Sequence, residues 1–385
     1  MESSRVRTNP LIDQLGENPI GRIHEMARRM RAEGQRLVDF SIGDPREPTP
    51  PQIIEAMKEA VPAVSQYPTT SGLAELRGAI AGYVHRRFGV EVDPAIQIMP
   101  TSGGKESIFS THLAFVDRGR SDVVVWPTPG YPIYRRGAVL AGAKPFPVEL
   151  SGDFVMRAAD IPDPIWDEAA MVWLCTPHNP AGSVTSADEL QALYDRARSS
   201  DTLLCSDECY ADLYEDEPPN SILQTAGSGS AGCLAFLSLS KRAGMTGYRS
   251  GAIVGDAEAV KAIRSLRAGT GTASPEFIQK AAAVAWGDDE HVAERRDIFR
   301  RKRAILAKAF EALGYPISGS VAGIYLWVAV GDDVAISDRL LEDGILVTPG
   351  RGFGPGGEGY IRLALVPTVD ECDEAAEAVV ACLGR

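Results

Sequence analysis

Residues that commonly bind metals are scarce in this 385-residue sequence, which has five histidines and six cysteines. No two histidines have the spacing of metal ligands, and no CxxC pair occurs. A metal site is therefore not expected. Four of the six cysteines lie in apolar or strand-like stretches, which predicts buried free thiols in a reducing compartment.

Basic charge and long apolar runs are also lacking. Against 52 acidic residues there are 39 lysines and arginines, and the net charge of −13 argues against a nucleic-acid surface or an anionic membrane as partner. No stretch approaches the roughly 20 apolar residues of a membrane span. The opening MESSRVRTNP has no apolar signal core. We therefore expect a cytoplasmic protein that acts on small molecules.

Short apolar runs alternate with helical patterns through the first two-thirds of the chain. Such alternation is typical of βαβ units, so we expect an α/β fold with a mostly parallel sheet between helices. Ligands of such sheets bind beyond the carboxyl ends of the strands, so chemistry is expected in the loops that follow strands. The predicted strands are 96–100, 122–126, 171–176, 202–206, 233–239 and 251–254, and the predicted helices are 105–117, 131–141, 186–199 and 257–267.

The pattern changes near residue 288. A long charged helix, DDEHVAERRDIFRRKR (288–303), is followed by shorter predicted strands and a last helix, which indicates a second, smaller α+β domain. These later elements are strands at 324–330, 345–348 and 360–365 and a helix at 369–382. We expect residues 1–45, with a helix at 21–33, to form an N-terminal arm and part of the small domain. Residues 46–287 then form the large domain and 288–385 the small C-terminal one.

Two segments rich in glycine or proline follow predicted strands. TSGGKES (101–107) opens a helix, and Gly103 and Gly104 would let backbone N–H groups approach an anion closely. The alternative is an ordinary strand–helix turn. CTPHNPAG (175–182) holds Asn179 in a rigid loop, where its amide could donate to a ligand oxygen. The alternative is an asparagine that satisfies its own turn.

Two further segments bring ionisable side chains to strand ends. In SDECYADLYE (206–215), Asp207 could pair with a cationic ring nitrogen and Tyr210 could hydrogen-bond a phenolic oxygen. The alternative for Asp207 is a helix N-cap. In SLSKRAGMTGYRSG (238–251), Lys241 could have a lowered pKa and form a Schiff base, while Ser238 and Arg249 could bind phosphate. The alternative is a solvated lysine.

The four segments together describe one cofactor. A Schiff-base lysine, an acid for a ring nitrogen, donors for a phenolic oxygen and an anion cradle are the groups that pyridoxal 5'-phosphate requires. A competing dinucleotide signal, GSGSAG (227–232), fits G-x-G-x-x-G but precedes a predicted strand instead of following one. Pyridoxal phosphate is therefore the expected cofactor.

These segments resemble the class I, fold-type I pyridoxal-phosphate aminotransferases, from about residue 8 to the C-terminus. The resemblance implies a mostly parallel seven-stranded sheet in the large domain and a homodimer with shared active sites. It implies that Lys241 binds the cofactor and is the catalytic base. At the cofactor ring it further implies Asp207 at the nitrogen, Tyr210 and Asn179 at the phenolic oxygen, and Tyr131 (in PTPGYPIY) stacked on the ring. Around the phosphate it implies Gly103, Gly104, Lys105, Ser238 and Arg249. Tyr67 is expected to reach the phosphate of the neighbouring subunit.

The same resemblance identifies candidate substrate contacts. Arg362 in YIRLAL resembles the arginine that binds the substrate α-carboxylate, and Gly43 in SIGDP resembles the backbone contact beside it. Asn179 is expected to contact the substrate as well as the cofactor. A guanidinium can form a bidentate pair that lysine could not reproduce. Candidates for a distal carboxylate are Arg267, Arg22 and Arg46, each with a surface arginine as the alternative.

Within the family, the segments SIGDPREPTP, YPTTSGLAELRGAIAGY and IRLALVPTVDEC are most similar to N-succinyldiaminopimelate aminotransferases of lysine biosynthesis. This implies ping-pong transfer from N-succinyl-LL-2,6-diaminopimelate to 2-oxoglutarate. Gly104 stands where a hydroxyl residue is expected and His178 where a small one is expected. Arg242 is also expected by resemblance, but the sequence defines no role for it.

Other functions remain open at this point. The amino donor could instead be LL-diaminopimelate, aspartate, alanine or an aromatic amino acid. A pyridoxal-phosphate lyase or decarboxylase could use the same fold, because a fold does not determine a reaction. A transcription regulator with an aminotransferase-like domain would need a basic DNA-binding module, for which neither terminus has the length or charge.

Overall fold

The computed structural model describes residues 8–15 and 21–384. Its strands are β1 (Val38–Asp39), β2 (Ile98–Thr101), β3 (Val123–Thr128), β4 (Lys144–Glu149), β5 (Ala169–Cys175), β6 (Leu203–Asp207), β7 (Cys233–Ser238), β8 (Gly251–Gly255), β9 (Tyr325–Ala329), β10 (Ile345–Leu346), β11 (Thr348–Pro349) and β12 (Tyr360–Ala364). Its helices are α1 (Pro10–Asp13), α2 (Gly21–Ala32), α3 (Pro51–Glu59), α4 (Ala74–Phe88), α5 (Gly104–Phe115), α6 (Ile133–Ala141), α7 (Asp163–Glu168), α8 (Ala187–Ser199), α9 (Ile222–Ala226), α10 (Leu239–Arg242), α11 (Ala257–Thr270), α12 (Glu276–Gly287), α13 (Glu290–Ala312), α14 (Asp333–Glu342) and α15 (Val369–Leu383). Short 3₁₀ helices span Ala158–Asp160 and Gly350–Phe353.

Seven strands form one sheet in the order β2-β8-β7-β6-β5-β3-β4. Neighbours from β7 to β4 are parallel, whereas β8 runs antiparallel to both β2 and β7. The predicted α/β fold with a mostly parallel seven-stranded sheet is therefore confirmed. The strands predicted in this region are present, with ends shifted by one or two residues.

Strand β4 was not predicted from the sequence. Its residues read KPFPVE, and proline lacks the N–H that a strand interior needs. The sheet accommodates Pro145 and Pro147 because β4 is an edge strand, paired only with β3. Most of its side chains are exposed, so no apolar run marks it in the sequence.

Strand β5 shows how side chains divide between the two faces of the sheet. Val172 and Leu174 pack in the cluster that includes residues of α4, α8 and α12. Met171 and Trp173 pack in the cluster that includes residues of α5, α6 and α11. Alternate side chains of a strand point to opposite faces, and both faces here are covered by helices, so every residue of β5 is buried.

A smaller α+β region follows the large sheet. Strands β11, β12 and β9 form an antiparallel sheet, on which α13 and α15 pack through a cluster that includes Phe299, Leu306 and Val379. The N-terminal segment joins it, because β1 pairs with β10 and Phe40 lies in the same cluster. The predicted strand at 345–348 is two short strands, β10 and β11. The domain boundaries at 45/46 and 287/288 stay a prediction.

Helix α13 is longer than predicted, and part of its charge is buried. Lys302 is fully buried and forms an ion pair with Glu47, which also lies beside Arg295. Glu47 belongs to the SIGDPREPTP segment, so this pair ties that segment to α13. Removing one partner of a buried ion pair is strongly destabilising, because the other charge is left without compensation.

Two expectations from composition concern the whole chain. All six cysteines are free thiols, and five of them are buried, whereas Cys209 is partly exposed. Within the described ranges, no helix combines the length and apolarity that crossing a membrane requires.

Candidate active site

The loops that carry the four predicted segments lie at one edge of the large sheet. Because β8 is antiparallel to both β2 and β7, these two strands point the same way as β5 and β6. Their carboxyl ends are also level: Gly251 of β8 pairs with both Thr101 and Ser238, and Cys175 pairs with Asp207. The fold therefore brings the predicted segments together, as expected for a parallel sheet.

Lys241 lies in the short helix α10, directly after β7, and not at the strand end itself. Its amino group donates to the carbonyl oxygen of Gly43. Burial lowers the pKa of Lys241 to about 8; Arg362 and Arg249 act in the same direction, and Asp44 opposes them. A lysine in this state is partly neutral near pH 8 and can both accept and release a proton.

Asp207 is the last residue of β6 and is 3% exposed. The hydroxyl of Tyr134 donates to its Oδ2 at 2.7 Å, and the Cys209 N–H donates to Oδ1 at 3.2 Å. Burial raises the pKa of Asp207, and these two hydrogen bonds oppose that shift. Within residues 8–15 and 21–384, no lysine, arginine or histidine forms an ion pair with this carboxylate. A cationic ring nitrogen would supply the missing charge.

Tyr134 was not predicted as a site residue. It is fully buried in α6, and its ring stacks on Trp173 of β5 with centroids 5.3 Å apart. Tyr131, three residues earlier, meets it edge to face at 5.8 Å. The spacing of the two tyrosines fits one helix face, but no sequence feature shows that the second one reaches Asp207.

Arg362 lies on β12 and is buried. Its Nη2 donates to the Ser41 carbonyl oxygen at 2.6 Å, and its Nη1 donates to Asn179 Oδ1 at 3.2 Å. Its Nε has no partner in the described part of the chain. The guanidinium lies between the rings of Tyr325 and Phe353, each 4.5 Å from Cζ. A buried cation held only by neutral groups is well suited to bind a carboxylate.

Asn179 hydrogen-bonds this arginine directly, and Tyr210 is linked to it through Tyr325. The Tyr210 hydroxyl is 2.7 Å from the Tyr325 hydroxyl, and both side chains are buried. Because Arg362 occupies the amide oxygen of Asn179, the Asn179 NH₂ group is left to donate elsewhere. Tyr325 and Phe353 were not predicted as site residues, since only the tertiary structure brings β9 and the Gly350–Phe353 turn to Arg362.

The predicted phosphate cradle surrounds the start of α5. Gly103 is the N-cap with φ of +90°, and a Cβ there would lie 2.7 Å from Arg249 Nη2. Arg249 itself has φ of +56°, a left-handed conformation that non-glycine residues seldom adopt. Ser238 is nearby at the end of β7, and Lys105 is exposed in the first turn of α5. Free N–H groups at this helix start can bind an anion.

At position 104 the family pattern expects a hydroxyl residue, and steric crowding explains why glycine stands there instead. A Cβ on Gly104 would lie 2.8 Å from Cys209 Sγ, closer than real contacts allow. The thiol of Cys209 therefore fills the space that a hydroxyl side chain would need. Such a pairing joins residues far apart in sequence, so the sequence alone does not reveal it.

Other predicted contacts lie further out. Arg267 is buried, and its Nη1 donates to both oxygens of Glu106 at 2.5 and 2.6 Å, whereas its Nε and Nη2 have no partner in the described part of the chain. Arg46 pairs with Glu371 at 3.2 Å. The side chain of Arg22 lies outside the described residues. Tyr67 is fully exposed and contacts no part of this site in a single subunit.

The structure gives a packing role to Arg242 and His178, the two residues whose roles the sequence did not define. Arg242 is buried and pairs with Asp212 at 2.6 Å and with Asp289, and its guanidinium lies 4.5 Å from the ring centroid of Tyr83. This network supports the loops beneath Lys241. Burial lowers the pKa of His178 to about 4, so the histidine is neutral and fills the loop next to Asn179.

The residues at this edge fit pyridoxal phosphate. Asp207 lacks a cationic partner, Asn179 has free donors, the Gly103 backbone lies against the Arg249 guanidinium, and Lys241 has a lowered pKa. These four observations match, in order, the ring nitrogen, phenolic oxygen, phosphate and aldehyde of the cofactor. No other cofactor with these groups is indicated by the sequence.

Comparisons with known proteins agree with this assignment. The family model described as aminotransferase class I and II matches residues 35–379. The chain is 35% identical to the LL-diaminopimelate aminotransferase of Desulforudis audaxviator, covering 100% of this chain and 98% of the relative. Among solved structures, an aminotransferase from Neisseria meningitidis has a TM-score of 0.90 at 33% identity, covering 97% of this chain and 99% of the other. A probable N-succinyldiaminopimelate aminotransferase from Thermus thermophilus has a TM-score of 0.88 at 27% identity, covering 94% and 98%.

Proposed function

Because the chain belongs to the class I and II aminotransferases, we propose that it transfers the amino group of LL-diaminopimelate to 2-oxoglutarate. The enzyme class and the use of pyridoxal phosphate follow from family membership. The donor is the new part of the proposal. The observation that carries the amino-transfer chemistry is the buried Arg362, which has no anionic partner, close to Lys241, whose pKa is lowered. The donor rests on the name of the relative from Desulforudis audaxviator.

Arg362 binds the α-carboxylate of the substrate in this proposal. Its guanidinium is held by the neutral oxygens of Ser41 and Asn179, so a carboxylate would provide the missing negative charge. The rings of Tyr325 and Phe353 restrict its movement. Holding the carboxylate also opposes its loss as CO₂, which disfavours the decarboxylase alternative.

Lys241 moves the proton at the substrate α-carbon. A pKa of about 8 leaves it partly neutral at physiological pH, so it can act as a base and then return the proton. When bound, pyridoxal phosphate supplies an electron sink for the negative charge that forms at this carbon. Asp207, as an anion, keeps the ring nitrogen protonated, while Tyr210 and Asn179 orient the phenolic oxygen. The donor leaves as a keto acid before 2-oxoglutarate enters and accepts the amino group, which would give ping-pong kinetics.

The donor is proposed from the name of the Desulforudis audaxviator relative, an LL-diaminopimelate aminotransferase. Two arginines proposed from the sequence for distal carboxylates, Arg267 and Arg46, are already paired with glutamates. Free LL-diaminopimelate has an ammonium and a carboxylate at that end, whereas the N-succinyl form has two carboxylates and no ammonium. N-succinyl-LL-diaminopimelate is the second candidate, supported by the name of the Thermus thermophilus protein.

The proposal includes a cytoplasmic homodimer in which Tyr67 reaches the cofactor phosphate of the neighbouring subunit. Tyr67 is fully exposed, and Val61 and Val64 before it are 57% and 75% exposed. Exposed apolar side chains in one segment are typical of a contact surface. Light scattering should give twice the chain mass, and Tyr67→Phe should weaken pyridoxal phosphate binding without dissociating the dimer. A monomer with full activity would contradict this part.

A donor panel tests the substrate. The cofactor-loaded enzyme is mixed with LL-diaminopimelate, N-succinyl-LL-diaminopimelate, aspartate or alanine in a single turnover, and the cofactor absorbance change is followed. We expect the largest second-order rate constant with LL-diaminopimelate. If N-succinyl-LL-diaminopimelate reacts faster, the second candidate is correct. If neither exceeds alanine and aspartate, the diaminopimelate assignment fails and the aminotransferase assignment stands.

A further inference from the structure

Tyr325, the first residue of β9, contacts residues on both the cofactor side and the substrate side of the site. Its hydroxyl is 2.7 Å from the hydroxyl of Tyr210, which faces the cofactor in the proposed function. Its ring lies against the guanidinium of Arg362, 4.5 Å from Cζ. Tyr325 is 3% exposed, so water is largely excluded from both contacts. One side chain thus contacts both the tyrosine assigned to the cofactor and the arginine assigned to the substrate.

The fold leaves room for this hydroxyl at Gly43. A Cβ at position 43 would lie 2.6 Å from Tyr325 Oη, so any larger residue would displace it. The carbonyl of Gly43 accepts the hydrogen bond from Lys241 at the same point. The glycine in SIGDP therefore has a packing role besides its predicted place beside the substrate carboxylate.

The number of hydroxyl protons decides the direction of the Tyr210–Tyr325 hydrogen bond. Each tyrosine has one O–H to donate and can accept further hydrogen bonds. If Tyr210 gives its proton to the phenolic oxygen of the cofactor, the bond between the two tyrosines must come from Tyr325. Accepting that bond polarises Tyr210 and makes it a stronger donor.

We propose that Tyr325 is a positioning residue that donates to Tyr210 and supports Arg362 with its ring. The proposal rests on the proposed function, since it takes Tyr210 as the donor to the phenolic oxygen. Through Tyr210 it sets the hydrogen bond at the cofactor, and through its ring it sets the orientation of the carboxylate-binding guanidinium. The two roles use different parts of the side chain and can be separated by substitution.

Other ionisable groups face the two tyrosines and contribute to any titration measured there. Asp207 and Cys209 act on Tyr210 from the end of β6 and the turn after it. Arg362 of β12, Cys175 of β5 and Asp207 act on Tyr325. None of them is changed by Tyr325→Phe, so a difference between this variant and the wild type reports the hydroxyl alone.

The first experiment titrates the visible absorbance of the substrate-free, cofactor-loaded enzyme against pH. Weaker donation from Tyr210 leaves more negative charge on the phenolic oxygen. This charge favours the protonated form of the Lys241 nitrogen bound beside it, so the midpoint of the titration should rise. For Tyr325→Phe we expect a rise of roughly 0.5–1 unit, the worth of one net hydrogen bond. Tyr210→Phe should raise it further, and the double variant should match Tyr210→Phe. Tyr315→Phe, whose ring packs on Phe310 far from the site, should match the wild type.

The outcomes separate this inference from the proposed function. If Tyr210→Phe shifts the midpoint and Tyr325→Phe does not, Tyr325 does not act through Tyr210 and the inference is wrong. If Tyr210→Phe also leaves the midpoint unchanged, its proposed role at the phenolic oxygen is wrong, and the inference falls with it. A double variant that shifts further than Tyr210→Phe would show an effect that bypasses Tyr210.

A second experiment separates the ring from the hydroxyl. Tyr325→Phe keeps the ring on Arg362, so the KM for 2-oxoglutarate should stay within about twofold while kcat falls. Tyr325→Leu removes the ring and should raise that KM roughly 5- to 10-fold, as expected for a lost contact between a cation and an aromatic ring. Affinity of the cofactor-free protein for pyridoxal phosphate checks that both variants retain the site. Equal KM values for Phe and Leu would refute the support of Arg362.

Discussion

The carboxylate of Asp207 accepts a hydrogen bond from the buried hydroxyl of Tyr134, and Tyr134→Phe removes this donor while keeping the ring. The phenylalanine ring can still stack on Trp173, so the packing of α6 against β5 should be preserved. The hydrogen bonds from Cys209 then remain to stabilise the anion. The substitution therefore acts mainly on the ionisation of Asp207 and also removes a hydrogen bond to the Cys175 thiol.

The size of the effect follows from the geometry. A hydrogen bond to a charged acceptor contributes about 1.5–3 kcal/mol, and one pKa unit corresponds to about 1.4 kcal/mol. Losing the 2.7 Å bond should therefore raise the pKa of Asp207 by about one to two units above a value that burial has already raised. Only the ionised carboxylate can pair with a cationic ring nitrogen. The acid limb of kcat/KM should therefore move to higher pH by a similar amount.

The assay measures kcat/KM and the Kd for pyridoxal phosphate between pH 5 and pH 9. We expect Tyr134→Phe to lose activity and cofactor affinity most strongly at the acid end and to approach the wild type at the alkaline end. Tyr194→Phe is the matched control, because its hydroxyl donates only to the Ala231 carbonyl at the surface. An unchanged acid limb in a correctly folded Tyr134→Phe would refute the reasoning.

Three further substitutions test other parts of the site. Gly104→Ser should weaken pyridoxal phosphate binding, because the serine side chain would collide with Cys209. Adding Cys209→Ala to this variant should restore binding. A double variant that binds no better than Gly104→Ser would contradict the steric explanation. Arg362→Lys should raise the KM for both substrates roughly 10- to 100-fold with little change in cofactor affinity, measured against Arg46→Lys as control. Gly103→Ala should raise the Kd for pyridoxal phosphate, measured by fluorescence of the cofactor-free protein. The reason is that alanine disfavours the positive φ of this residue and its Cβ would lie 2.7 Å from Arg249 Nη2. An unchanged Kd would argue against the cradle.

Much of the fold was predictable because its strands are short apolar runs that end at polar residues. The strands β5, β6 and β7 are buried on both faces, so nearly all their residues are apolar until Asp207 and Ser238 mark their ends. Strand β4 was missed for the opposite reason, since an exposed edge with two prolines has no apolar run. Local composition therefore identified the interior of the sheet and missed its edge.

The candidate site was predictable where its residues follow strands directly. Asp207 ends β6, and Lys241 and Asn179 follow β7 and β5 within a few residues, so the strands set the positions of all three. Tyr134 and Tyr325 were missed because helix or strand context explains them equally well, and only tertiary packing brings their hydroxyls to Asp207 and Tyr210. The sequence also could not show that Glu106 neutralises Arg267, since 160 intervening residues separate the pair.

The most direct test of the account asks whether Lys241 binds the cofactor. The enzyme loaded with pyridoxal phosphate is reduced with borohydride, digested, and analysed by peptide mass spectrometry. We predict that the stable cofactor adduct is found on Lys241, and that Lys241→Ala forms no visible-absorbing complex while the exposed Lys105 remains unlabelled. An adduct on another lysine, or none in the wild type, would contradict the account.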